Sequence, residues 1–232
     1  MDLLLFITHN FNPEFLNTLT KVDEQYANLT VIVLLDESAN VDPLVVNRFK
    51  NITIKPTSKI NTSYDSSGHT MYINYFKNNI DELEKYTYVW VVENDVYFPK
   101  SFKIFIDKYK DYTYDLLVSE YGLRDKGWGW TKTLRGFNTV NNIGVLAVIA
   151  RFSQRFLRNL IENIDVNYYG YLEAILPHIC SQYDFSIQQF LPEMCGVLTT
   201  NPGLPLLRLI KEDLINKRRN FIEDKIYHPI KL

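Results

Sequence analysis

Cysteine is scarce in this sequence: its 232 residues include two, Cys180 and Cys195, in no metal-ligand pattern, so both are expected to be reduced thiols. Long hydrophobic runs are missing as well. No stretch approaches the roughly 18 uninterrupted apolar residues of a membrane span. Neither sign of charge is in excess, with 25 Lys and Arg against 27 Asp and Glu, a net charge of -2 and a pI of about 6.1. That balance excludes the general basic footprint of a nucleic-acid-binding protein, and the local "NKRRN" at Asn216 to Asn220 reads as a solvated helix face. The opening "MDLLLFITHNF" lacks the basic residues of a signal peptide, carries an acid at Asp2 and reads as a first strand. Export is not expected and the expected location is the cytoplasm, so the Asn-Xaa-Ser/Thr triplets at Asn28, Asn51 and Asn61 are discounted.

What the sequence does have is apolar and aromatic mass, 46% and 14% of the residues, enough for a sizeable core in one domain spanning 1–232 and too much for a disordered chain. "LLLFIT", "LTVIVLLDES", "ITIKP", "YTYVWVV", "DLLVSEYG", "IGVLAVIA" and "FSIQQFLPE" read as strands. Between them lie helical patterns. "NPEFLNTLTKVDEQY" has Asn12 as N-cap and Pro13 in its first turn; "DPLVVNRF", "HTMYINYFKNNIDELEK", "SFKIFIDKYK" and "SQRFLRNLIENI" follow. "YGYLEAILPHICSQY" reads as a helix broken near Pro177, and "LLRLIKEDLINKRRNFIED" as one leading into the tail "KIYHPIKL". Continuous apolar strands alternating with helices predict an α/β fold with a mostly parallel sheet covered on both faces. Ligands bind beyond the carboxyl ends of such strands, where "THN" (Thr8), "LLDES" (Asp36) and "END" (Glu93) supply polar groups.

One of these ends carries two acids. In "YTYVWVVENDVYFP", Glu93 and Asp95 follow a buried strand, and residues i and i+2 of an extended segment point to one side while Asn94 points away. Two close carboxylates repel unless a cation lies between them. Mg²⁺ or Mn²⁺ held by both acids and a nucleotide diphosphate answers that need; the plainer reading is a pair of solvated acids in a turn. The segment "GLRDKGWGWTKTLRG" adds glycines that allow close backbone approach and, in Trp128 and Trp130, flat faces on which an acceptor sugar or a base can stack; alternatively its tryptophans fill the core. Arg124, Lys132 and Arg135 lie in the same stretch and can offset diphosphate charge.

The strand and turn "YVWVVENDVYF" resemble the DxD-bearing segment of GT-A fold glycosyltransferases, especially small enzymes of bacteria and large DNA viruses, and the resemblance spans most of the chain. It implies a mixed, Rossmann-like, mostly parallel sheet, with 1–98 as a nucleotide-binding half and 99–232 as an acceptor-side half. It also implies metal-dependent transfer of a sugar from a nucleotide-sugar donor to a glycan or glycoconjugate acceptor. Glu93 departs from the pattern by replacing the usual aspartate, whereas Asp95 matches its metal-binding final position. Glu173 in "YLEAILPH" resembles the acid presented to the acceptor, which in inverting members takes the proton of the attacking hydroxyl; it is otherwise a first-turn glutamate favoured by the helix dipole. His228 in "KIYHPIKL" resembles the carboxy-terminal histidine that completes the metal site, or else caps a backbone carbonyl. The resemblance also assigns Thr8, Asp36, Gly68 and His69 to the nucleotide. His178, on an apolar helix, reads as core packing. A sugar nucleotidyltransferase and a non-catalytic carbohydrate-binding protein are the alternatives; against the first, "THNFNPEF" has no glycine for a phosphate loop after the first strand.

Overall fold

The computed structural model describes residues 1–25, 29–39, 41–59, 69–98, 102–124, 128–138, 140–164, 167–198 and 225–228. Gly68 and the helix expected over "LLRLIKEDLINKRRNFIED" lie outside them. The chain runs β1 (Leu3–Thr8), α1 (Pro13–Gln25), β2 (Thr30–Asp36), α2 (Pro43–Val46), β3 (Ile52–Thr57), α3 (His69–Asn78), α4 (Ile80–Leu83), β4 (Tyr88–Glu93) and α5 (Phe102–Tyr109). It continues through β5 (Leu116–Leu123), β6 (Ile143–Ser153), α6 (Gln154–Asn163), α7 (Leu172–Tyr183), β7 (Ile187–Gln189), β8 (Cys195–Leu198) and β9 (Ile226–His228).

Seven strands form one sheet in the order β3-β2-β1-β4-β6-β5-β7, and a two-stranded piece joins β8 to β9. Every pair in the large sheet is parallel except those of β6, which runs against both β4 and β5. The connection from β5 to β6 explains this reversal. A parallel return needs a crossover helix, and the described part of this connection has only the 3-10 turn Gly129–Thr133. The mixed α/β architecture expected from the apolar strands is therefore present, with helices on both faces.

Alternation along the strands sorts the core into two layers. Leu3, Leu5, Ile7, Val89 and Val91 face α3, α6 and α7; Leu4, Phe6, Trp90 and Val92 face α1, α5 and Ile226 of β9. Local signals set several ends. Asn12 Oδ1 accepts from Phe15 N at 2.8 Å and caps α1, and Ser153 caps α6. The helix expected over "HTMYINYFKNNIDELEK" divides at Asn79, whose side chain donates to Tyr75 O at 2.8 Å.

Two expectations are corrected here. Helix α7 is unbroken, with Pro177 inside it. The proline withholds one N–H from the carbonyl of Glu173, at a cost of about 3 kcal/mol, but every residue from Leu172 to Cys180 is buried, and that packing outweighs the loss. Strand β6 runs past Ala150 through the charged Arg151, which is fully buried. Its guanidinium donates to Tyr109 O (2.6 Å) and Tyr112 O (2.5 Å) at the end of α5 and lies 3.9 Å from the centre of the Tyr88 ring. Helix-end carbonyls and an aromatic face thus hold this charge, with the Asp2 carboxylate favouring it from farther off.

Asp115, just before β5, is a buried junction. Its carboxylate accepts from Ser153 Oγ (2.8 Å), Ser186 N (2.9 Å) and Ser186 Oγ (2.8 Å), and pairs with Arg155. Burial opposes the charge, yet Arg155 and the two serines outweigh it and hold the acid down at about 2. A carboxyl lowered by folding stabilises the protein above its unfolded value, and that contribution is lost as pH falls toward the folded one. Asp115→Asn is therefore expected to cost about 2 kcal/mol at neutral pH and to flatten the loss of stability between about pH 4 and 2, as read by urea unfolding at each pH.

Candidate metal and acceptor site

The order of the strands makes a crevice. After β1 the chain steps outward to β2 and β3, then returns to set β4 on the other side of β1, so the connections leaving β1 and β4 diverge. The register aligns the strand ends on this rim: Thr8 pairs with Leu35, Asp36 with Thr57 and Ile7 with Glu93.

Glu93 closes β4, and the chain then turns, with Val96 N donating to Glu93 O at 3.1 Å. The two acids thus converge through a turn and not through the alternation of an extended strand. Asn94 does point elsewhere, donating to Asn10 Oδ1 at 3.4 Å across the crevice. Beyond the turn, Tyr97 and Tyr227 exchange two backbone hydrogen bonds (2.9 and 3.1 Å), which bring β9 to the rim. His228 Nε2 consequently stands 3.2 Å from Asp95 Oδ1 and 3.3 Å from Glu93 Oε2. One ligand atom from each of the three residues lies within 4.8 Å of the other two.

This donor set fits a hard divalent cation. Ligands at adjacent corners of an octahedron with bonds of about 2.1 Å stand about 3 Å apart, close to the two distances from His228. Two carboxylates and an imidazole suit Mn²⁺, and Mg²⁺ accepts the carboxylates. Burial works against the His228 imidazolium, yet hydrogen bonds to Asp95 and Glu93 outweigh it and push the group up to about 9, so a cation bound there would displace a proton from His228.

Glu173 lies on α7, which packs on β6. It is buried in the first turn of α7, and its Oε1 accepts from Ala147 N at 3.3 Å. β4 pairs with β6 as far as Val92 opposite Ile149. β6 takes four steps from Leu146 to Ala150 where β5 takes two from Glu120 to Val118, and the Glu173 carboxylate satisfies a strand N–H inside this irregularity.

The tryptophan segment is tied to this helix. Arg135 and Tyr169 exchange backbone hydrogen bonds, Tyr171 N donates to Thr133 Oγ1 at 3.3 Å, and Trp130 stacks on Tyr171 at 5.0 Å between ring centres. Trp128 lies on Gly144 of β6, so close that a Cβ there would stand 2.2 Å from the ring. Both tryptophans are half-buried and pack on the core layer beneath α7, so packing and an accessible face coexist in them. Arg124 sits over Trp128 and pairs with Glu120, and Arg135 donates to carbonyls of its own loop. Lys132 is exposed.

At the ends of β1 and β2 the polar groups are engaged locally. The Thr8 hydroxyl donates to Asn10 O and accepts Asn10 N at 3.1 Å, closing the turn after β1. Asp36 pairs with Lys59 at 2.7 Å and accepts from Ser38 N and Oγ; Lys59 first, then Ser38, holds its carboxyl at about 2 against burial. His69 opens α3. The His178 ring is buried, as its apolar helix implied, with Nδ1 2.7 Å from Ala174 O and Nε2 accepting from Asn141 N at 3.1 Å.

Sequence reasoning missed the parts that assemble the site: Tyr97, Tyr227, Tyr171, Gly144 and strand β8. The apolar quartet "CGVL" was the available signal for β8, but four residues are too few to show a period.

No protein-family model matches the chain, and no curated protein matches its sequence. Among solved structures, its fold is similar to that of a 4-diphosphocytidyl-2C-methyl-D-erythritol synthase from Anaerococcus prevotii, with a TM-score of 0.53 and 9% identity over 94% of this chain and 96% of that one. At that identity the likeness carries the architecture alone: a Rossmann-like, mostly parallel sheet between helices.

Proposed function

We propose that this protein is a metal-dependent glycosyltransferase of the GT-A kind, moving a sugar from a nucleotide-sugar donor to a hydroxyl of a glycan or glycoconjugate with inversion. The observation that carries the reading is the convergence of Glu93, Asp95 and His228 at the switch point of the sheet. These three residues would hold Mn²⁺ or Mg²⁺, which when bound supplies positive charge against the departing diphosphate. The chain acts as one domain in which 1–98 receives the nucleotide, through Thr8, Asp36, Gly68 and His69, and 99–232 receives the acceptor, with Trp128 and Trp130 as stacking faces. Glu173 takes the acceptor proton as the new bond from oxygen to the anomeric carbon forms. The bond from that carbon to the diphosphate breaks with its electron pair on the phosphate oxygen.

A second reading has one observation in its favour. The structural neighbour's name gives a product carrying a diphosphocytidyl group, and the alternative is transfer of a nucleotidyl group here too. Products separate the two. With Mn²⁺ and a panel of nucleotide sugars, glycosyl transfer or donor hydrolysis liberates a nucleoside diphosphate; with nucleoside triphosphates and sugar phosphates, nucleotidyl transfer liberates pyrophosphate. The proposal expects the first and no pyrophosphate. It is abandoned if no nucleotide sugar raises the melting temperature in the presence of Mn²⁺.

A further inference from the structure

The third metal-ligating side chain reaches the rim on a short strand, and what aims that strand is a glycine outside the ligand set. Between β8 and β9 the register runs from Cys195 opposite Ile226 to Leu198 opposite His228, so β8 spends one residue more than β9 and bulges. Gly196 lies in this bulge. The Tyr227 ring rests against it: a Cβ on Gly196 would stand 2.1, 2.5 and 2.6 Å from Cε1, Cδ1 and Cζ of that ring. Contact with three ring atoms means that the ring lies across the peptide backbone, where no side chain fits. Alternate residues of a strand face opposite ways, so Tyr227 goes to Gly196 while Ile226 and His228 share the other side. Ile226 is fully buried in the core layer with Phe6 and Trp90 and fixes the depth of β9, and Tyr97 holds its backbone on the edge away from β8.

We infer that Gly196 is a positioning residue for the metal site: by admitting the Tyr227 ring it sets His228 against Glu93 and Asp95, so that cation affinity depends on a residue that touches no ligand atom. This rests on the metal reading of the preceding section. A Cβ at Gly196 would force the ring back by more than 1 Å or so to ordinary contact, and the next residue in the strand is His228. Metal–ligand distances tolerate only about 0.2 Å, so the displacement is felt as lost affinity.

The test is a double-mutant cycle on Mn²⁺ affinity, measured by electron paramagnetic resonance at fixed pH on the full chain, with melting temperatures recorded without metal. Gly196→Ala is expected to weaken Mn²⁺ binding about tenfold or more, the range for residues that orient metal ligands. In the His228→Ala background the same change should alter affinity less than twofold, because the side chain through which Gly196 acts is gone. In Tyr227→Leu, which keeps the backbone bonds but removes the ring, Gly196→Ala should again be nearly silent. Tyr227→Leu also serves as the reporter if Gly196→Ala alone does not fold, since it should itself weaken binding. Wild-type affinity in Gly196→Ala, or an equal loss with and without His228, overturns the inference while leaving the metal site standing. Absence of Mn²⁺ binding by the wild-type protein overturns both.

Discussion

Asp95→Ala is expected to abolish sugar transfer and all Mn²⁺-dependent donor binding while the protein remains folded. The side chain stands at the rim beside His228, and the turn that carries it is closed by the backbone bond from Val96 to Glu93, which alanine keeps. What it loses is one of the three proposed ligand atoms. In wild-type protein a cation at a hundred times its dissociation constant adds about 2.7 kcal/mol of stability, and Asp95→Ala should gain almost none of this in a thermal melt. Glu93→Ala should behave similarly. Glu93→Asp restores the residue type usual at that position in GT-A enzymes and should retain activity; complete loss would mean that the longer reach of glutamate is needed, since the strand ends there and only the side chain spans the gap to His228. Wild-type turnover by Asp95→Ala would remove the metal assignment altogether.

Glu173→Gln is expected to lower turnover about a hundredfold or more, the range for a positioned general base, with donor affinity unchanged. The structure makes this a controlled comparison. Ala147 N bonds to a side-chain oxygen that glutamine also has, so the amide keeps the hydrogen bond that ties α7 to β6. Glu173→Ala does not, and should cost a further 1–3 kcal/mol of stability for an orphaned buried N–H. Denaturant melts of the two variants therefore separate the structural role of the carboxylate from the chemical one. If Glu173→Gln transfers sugar at the wild-type rate, its role is structural, and the anomeric configuration of the product, read by NMR, then decides whether another carboxylate or a retaining route is in use.

Much of the architecture was legible in the chain because it is written in local pattern. "LLLFIT" and "LTVIVLLDES" are continuous apolar runs, which only a strand buried on both faces explains, and they became β1 and β2. Asn12 and Pro13 announced the start of α1 because a cap is a contact between near neighbours. The acids of "END" were legible as a pair for the same reason: two residues apart, they must end close together in a strand or in a tight turn.

Tertiary structure decided everything that depends on residues distant in sequence. The direction of β6 follows from a connection with no crossover helix in its described part, and the buried charge of Arg151 from carbonyls that α5 happens to end with. Pro177 did not break α7 because burial along that helix exceeds the cost of one missing hydrogen bond, a balance that no local rule contains. Thr8 and Asp36 were readable as polar strand ends, but their present partners, Asn10 and Lys59, were not. His228 is the clearest case. The family resemblance made it a candidate ligand, but its distance of 3.2 Å from Asp95 is set on a strand that Tyr97 bonds through Tyr227, whose ring lies on Gly196, and contacts across such separations leave no period in the sequence.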